Sequence, residues 1–185
     1  MSRRLMLRNA SGGGGGILPP EYQQVEYIGH SQSVGIYLIS PAFNGYIAKG
    51  VVDVEVVANS DGGLIAFSRY SGSAPATPLA SLSNQQSGFQ CVPTLPGYQN
   101  APRNIYELTA NVTTLTGRAA ICGWNNAHWI ADIKLYGVQF YNGSGTLIFD
   151  GVPCYRKSDG EIGLFDTVTQ TLTGRVGVWT KGADV

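Results

Sequence analysis

Val51-Val-Asp-Val-Glu-Val-Val57 is the stretch that decides the architecture. Successive side chains of an extended chain point to opposite faces, so Val52, Val54 and Val56 share one face while Asp53 and Glu55 share the other. Working outward, Gly62-Gly63 marks a turn before a second strand at Leu64 to Arg69. Ile105 to Val112 alternates in the same way, with Tyr106, Leu108, Ala110 and Val112 on one side and Glu107, Thr109 and Asn111 opposite. Gly117 precedes another strand, Arg118 to Cys122. Ile130 to Tyr141 reads as a long strand, and Asn142-Gly143 signals a hairpin before Thr146 to Phe149.

Shorter extended pieces flank this centre. Tyr22 to Ile28 alternates imperfectly as a first strand, and Gly35 to Ser40 supplies a second. Ile162 to Phe165 and Val176 to Thr180 close the chain. Residues 71–104 hold five of the nine prolines together with Ser, Gly and Asn, so they read mostly as loop, with two short strands near Ala80 and Phe89. No segment keeps a 3.6-residue apolar period. About ten to twelve short strands joined by turns imply an all-β, two-sheet antiparallel β-sandwich.

Composition agrees. The 185 residues fit one domain, and a 43% hydrophobic share supplies a core. Charged residues make up only 13%, roughly half the usual share, and 25 glycines, 10 tyrosines and many hydroxyl and amide side chains take their place. Twelve basic and twelve acidic residues cancel, which leaves no general field for nucleic acid. Cys91, Cys122 and Cys154 form no CxxC pair. Reduced, buried thiols, or one bridge with a spare thiol, are the two readings of that odd count.

Residues 1–16 stand apart from residues 17–185. Arg3, Arg4 and Arg8 surround Leu5, Met6 and Leu7, and Gly12 to Gly16 follow. The apolar run is too short, and is broken by Arg8, for a secretory signal, and no run approaches the roughly 18 apolar residues that cross a bilayer as a helix. A soluble protein with no membrane partner is expected. Five glycines make a flexible tether, so Arg3, Arg4, Leu5, Leu7 and Arg8 read either as a docking peptide or as a loose, solvated tail.

Two blocks carry a resemblance. Leu18-Pro-Pro-Glu-Tyr-Gln-Gln-Val-Glu-Tyr-Ile28 looks like an "LP-x-x-Y-x-x-L-E-Y-I" opening. Ile133-Lys-Leu-Tyr-Gly-Val-Gln-Phe-Tyr-Asn142 is similar to a "K-I-Y-x-x-K-I-Y-x-x-G" strand. Thr146-Leu-Ile-Phe-Asp-Gly-Val-Pro-Cys-Tyr-Arg-Lys157 is close to "L-V-R-D-x-x-P-C-x-R", and Ser158-Asp-Gly-Glu-Ile-Gly-Leu-Phe-Asp166 to "D-G-x-x-G-L-Y-D". Together they resemble laminin-G/concanavalin-like jelly-roll domains of tailed-phage and prophage virion proteins. The blocks cover about a third of the chain, at its two ends, as terminal strands that pair in a jelly roll would.

There are departures. Gly29-His-Ser-Gln-Ser-Val-Gly-Ile-Tyr37 replaces the usual continuation after the opening, Phe149 stands where Arg precedes Asp150, and residues 60–120 match nothing in the pattern. Asp159-Gly160 reads as a turn, and Asp166 as a cap on backbone groups at a strand end.

The resemblance implies a virion protein, made in a bacterial cytoplasm, that is a head fibre, a capsid decoration or a tail appendage. Its arm would hold other virion proteins and its sandwich would face outward. A homo-oligomer is expected, a trimer being one form. The other reading is a lectin-like module for a host-surface glycan, with Trp124, Asn125, Asn126 and Trp129 stacking on and hydrogen-bonding a sugar. The same tryptophans also suit packing beneath a loop.

Catalysis finds little support in the residues. Concanavalin-like glycosidases carry paired acids in an E-x-D-x-E pattern, since one acid attacks while another donates a proton. Here Val51 stands in the first place, which leaves Asp53 and Glu55 as a solvated surface pair. His30 and His128 lie in no nucleophile setting, and no metal-ligand spacing occurs. No enzyme, cofactor or metal is expected. Asn9, Asn111 and Asn142 begin N-x-S/T triplets, which matter only in a secretory host.

Overall fold

The computed structural model describes residues 18–31, 33–43, 46–58, 63–70, 72, 75–83, 101–109, 117–122, 129–130 and 132–185. The chain first forms β1 (Tyr22–Gln24), β2 (Ile28–His30), β3 (Ser33–Val34) and β4 (Tyr37–Ile39). Long strands follow as β5 (Lys49–Ala58), β6 (Gly63–Tyr70), β7 (Pro75–Ser83) and β8 (Ala101–Thr109). Next come β9 (Arg118–Ile121), β10 (Trp129–Ile130), β11 (Asp132–Tyr141) and β12 (Leu147–Arg156). The last are β13 (Ile162–Asp166), β14 (Thr171–Leu172), β15 (Gly174–Val176) and β16 (Thr180–Lys181).

No helix occurs among the described residues, and every strand pairing is antiparallel. A nine-stranded sheet faces a five-stranded one ordered β15-β4-β9-β6-β7, and β3 pairs with β10. The all-β sandwich expected from the alternation is the architecture found.

Strand β11 is the spine of the large sheet. One edge pairs with β5 along its whole length. The other edge is shared, taking β12 at Val138–Tyr141 and β2 at Ile133–Leu135. β12 in turn leaves β11 to pair its Cys154–Arg156 with β1. The fork between β11 and β12 is therefore filled by the first strands, with β16 on β2 and Asp184 opposite Val25. The two ends of the described chain are stitched together, as the positions of the two sequence blocks imply.

Valines 52, 54 and 56 face inward with Tyr106, Leu108, Ile133, Leu135, Val138 and Phe140, and meet Leu38, Phe67 and Ile121 of the smaller sheet. The ring of Phe67 lies 4.9 Å from that of Phe140, which stacks at 5.1 Å on Phe149. Gly50 makes this contact possible, because a Cβ there would sit 2.5 Å from the Phe67 ring.

Several readings change in detail. Residues 75–83, expected to be loop apart from a short piece near Ala80, form all of β7, and β8 starts four residues before Ile105. Pro75, Pro78 and Pro102 misled the reading. Among the described residues each lies on a strand with a partner on only one side, where a missing N–H need not break a ladder. Phe89, Ala110 and Val112 lie outside the described residues. The closing strand near Val176 to Thr180 divides, β15 joining the small sheet and β16 the large one. The hairpin at Asn142 forms, but its left-handed residue is Gly145, at φ 78°, rather than Gly143. Asn142 Oδ1 accepts from Ser144 N, Ser144 Oγ and Thr146 N and so fills the turn.

Candidate functional site

The alternation along β11 breaks once. Ile133 and Leu135 point inward, then Val138 and Phe140, so Tyr136 and Gly137 are consecutive residues off the core face. A bulge accounts for this, since Val54 pairs with Leu135 and Asp53 with Gly137, which leaves Tyr136 as the extra residue. The ring of Tyr136 thus lies on the outer face, over the acidic row of β5.

There it joins a compact cluster. Tyr136 Oη donates to Glu55 Oε2 at 3.0 Å, and Lys134, directly opposite Glu55, donates Nζ–H to Oε1 at 3.0 Å. Arg103 on β8 grips Asp53 with two bonds, Nε to Oδ1 at 3.0 Å and Nη2 to Oδ2 at 2.8 Å. The Arg103 guanidinium also covers the Tyr136 ring at 3.7 Å from its centroid. Tyr27 stands 5.6 Å from Tyr136, and Lys134 lies 5.4 Å from the Tyr27 centroid.

A second row continues along β11. Tyr141 Oη donates to Gln139 Oε1 at 2.9 Å, and Gln139 Nε2 donates to Asp150 Oδ1 at 3.0 Å. Thr167 Oγ1 donates to the other Asp150 oxygen at 2.8 Å. Lys49 lies 4.8 Å over the Tyr141 ring and 3.6 Å from Glu107. Val51, two residues before Asp53 and on the same face, is buried between its cross-strand neighbours Gln139 and Glu107.

This geometry corrects one expectation. Asp53 and Glu55 do share a face, but Asp53 is only 8% exposed and is not a solvated surface carboxylate. Long side chains from both neighbouring strands roof it over. The hydrogen bond from Lys134, aided by that from Tyr136, holds Glu55 below the usual glutamate range against an opposing effect of burial. Burial first, and the bond to Glu55 second, push Tyr136 up to about 12. Glycoside cleavage needs a carboxyl that keeps its proton near neutrality. The Glu55 carboxylate is instead stabilised as an anion, and both Asp53 oxygens are engaged by Arg103.

Other predicted positions fare differently. Arg3, Arg4, Leu5, Leu7, Arg8, Trp124, Asn125 and Asn126 lie outside the described residues, as do Cys91 and His128. Of Trp129 the backbone is described, paired with Val34. Asp166 is fully buried and accepts from the backbone of Asp150, Val168 and Thr169 and from Thr169 Oγ1, which bears out its reading as a strand-end cap. Asp159-Gly160 makes the expected turn, with Gly160 at φ 71°.

Cys122 and Cys154 are unbonded and buried. Burial pushes Cys154 up to about 12 and raises Cys122 as well, so neither thiol ionises near neutral pH. Among the described residues no three His, Cys, Asp or Glu side chains gather as metal ligands, and no helix is long and apolar enough to cross a membrane.

Comparisons with protein-family models, with curated proteins and with solved structures return no match. Arg103, Lys134, Tyr136 and Tyr27 were not singled out by the sequence reading. The one signal for them was the broken alternation at Tyr136-Gly137.

Proposed function

We propose that this chain is a non-enzymatic accessory structural protein of a phage-type particle: a head fibre, capsid decoration or tail appendage. In this reading residues 1–16 anchor the protein to other virion components and the sandwich is carried outward on the glycine tether. The observation that supports it best is the way the root of the arm is fastened. Directly after Leu18, β1 pairs with β12, Val25 pairs with Asp184, and β2 is held between β11 and β16. Tyr22 N donates to Pro19 O, and Lys157 bonds the arm side of β1 through Pro20 O at 2.8 Å.

A load on the arm therefore passes straight into the largest sheet. The core among the described residues begins only at Val25, so the sandwich closes on residues that follow the tether. Asp53, Glu55 and Glu107 support a structural role as well, because each is paired with a cation of its own sheet.

The test is incorporation. Particles are assembled with the full chain and with a chain lacking residues 1–16, then purified and probed for the protein. The reading expects the full chain on the particle and the shortened chain, still folded, left in solution. Equal incorporation of both would overturn it.

A further inference from the structure

The fork at the end of the large sheet holds a histidine whose bonding is incomplete. His30 ends β2 opposite Ile133 of β11 and is 4% exposed. Its Nδ1 lies 3.1 Å from Ser31 O. A carbonyl only accepts, so the neutral ring carries its proton on Nδ1 and a lone pair on Nε2. That Nε2 is buried and has no hydrogen-bond partner among the described residues.

Against the imidazole stands Trp179, 3% exposed, with its ring centroid at 4.8 Å and nearly perpendicular at 80°. Trp179 Nε1 donates to Val176 O at 3.3 Å. The next residue, Thr180, donates Oγ1–H to Gly29 O at 3.1 Å and opens β16, whose pairing with β2 spans only Thr180 and Lys181. The opposite edge of β2 lies against the middle of the large sheet. It pairs with β11 over three residues, and a Cβ at Gly29 would sit 2.5 Å from Ile133 O.

We propose that His30 is an acid-sensitive latch for the strap formed by residues 176–181: the neutral ring seats Trp179 and keeps β16 on β2, and protonation releases the strap. A second ring proton would place an N–H donor and a full positive charge on an atom that has no acceptor among the described residues and lies against aromatic surface. Between its anchors, Val176 opposite Tyr37 and Asp184 opposite Val25, the strap is held by the Thr180–Lys181 pairing, the Thr180 hydroxyl and the bond from Gly182 N to Tyr27 O, and this middle piece yields first.

The surroundings set the direction. Asp132 on β11 is the charged group that faces the ring among the described residues, and it favours the protonated form. β5 brings only Val56 and Ala58 opposite that part of β11. From the strap come Trp179 and Thr180, which do not ionise, while Lys181 turns away to Asp184 and the Tyr155 ring. Burial outweighs both Asp132 and the Ser31 bond, so the ring titrates below the ordinary histidine range. For a histidine lowered in the folded state, the closed strap is fully stabilised above the ordinary value of about 6.5 and loses stability as pH falls below it. Opening uncovers the edge of β2. The inference does not depend on what the arm binds.

Backbone hydrogen exchange on the full chain tests this, read at about pH 7.5 and about pH 5.5 and corrected for the intrinsic rate. Protection at Thr180 and Gly182 is expected to fall about tenfold for each pH unit below the onset, while amides of β5 and β11 keep theirs. In His30→Gln the pH dependence should vanish. Flat protection at Thr180 and Gly182, simultaneous loss across the sheet, or an unchanged dependence in His30→Gln would each overturn the latch. Should His30→Gln not fold, Asp132→Asn serves instead. Removing that acid should carry the fall in protection to lower pH before it levels off, and a fall that ends at the same pH contradicts the proposal.

Discussion

The two faces of the large sheet both bury residues of β5, but by opposite chemistry. On the inner face Phe140 lies between Phe67 and Phe149, with valines, leucines and isoleucines around it. On the outer face Val51 and Asp53 are also buried, yet what covers them is a mesh of Arg103, Tyr136, Lys134, Gln139 and Glu107. The inner face gains from apolar area removed from water, which is cooperative and large. The outer face gains from paired polar groups, each modest because it stays partly wet. A sheet can thus shelter residues on both sides while only one side carries most of the stability.

This contrast is open to attack by mutation, and the effects should fall in a definite order. Phe140→Ala should be the most damaging, since it empties the centre of the aromatic trio and should cost about 3–5 kcal/mol in urea denaturation. A loss below about 1 kcal/mol would mean the inner face is not the main source of stability.

Next comes Arg103→Ala, which leaves the Asp53 carboxylate nearly buried without its two-pronged partner. Because the Arg103 side chain is itself 43% exposed, solvent relieves part of the penalty. About 1–2 kcal/mol is expected. Arg103→Lys should recover less than half of it, as an ammonium cannot reproduce the fork. If Arg103→Ala matched Phe140→Ala, the distinction between the faces would collapse.

Gly145→Ala probes a turn belonging to neither face. A side chain at φ 78° should cost about 1 kcal/mol, visible as a small fall in Tm.

The smallest change should come from Lys134→Met, and pH reveals it better than stability does. Glu55 is held below the ordinary carboxylate range, so its contribution is complete above that range and disappears as pH falls through its folded value. Removing Lys134 should raise the Glu55 titration midpoint, followed by NMR, and flatten the acid limb of the stability curve. An unmoved midpoint would show that Tyr136 alone sets it.

Much of the fold was legible because alternation is a local property. Val51–Val57 announces β5 in seven residues, and Asn142 with its glycines announces the β11–β12 hairpin. Legibility failed where a neighbour decides. Pro75 and Pro78 read as loop until β7 is seen at the sheet's edge, with β6 on one side. Asp53 and Glu55 were legible as a pair on one face, but their burial was not. Arg103 lies 50 residues from Asp53, and Lys134 and Tyr136 lie 79 and 81 from Glu55, so only the assembled sheet brings them together. The bulge at Tyr136-Gly137 was the one local trace of that meeting.

The central claim is that the sandwich completes itself from its own strands and carries residues 1–16 as an attachment. The most direct measurement is the urea midpoint of a chain beginning at Ile17, set beside that of the full chain. The account predicts the same midpoint, the same slope and the same far-ultraviolet spectrum of a β protein. A lower midpoint, or loss of the β spectrum on removing those residues, would contradict it.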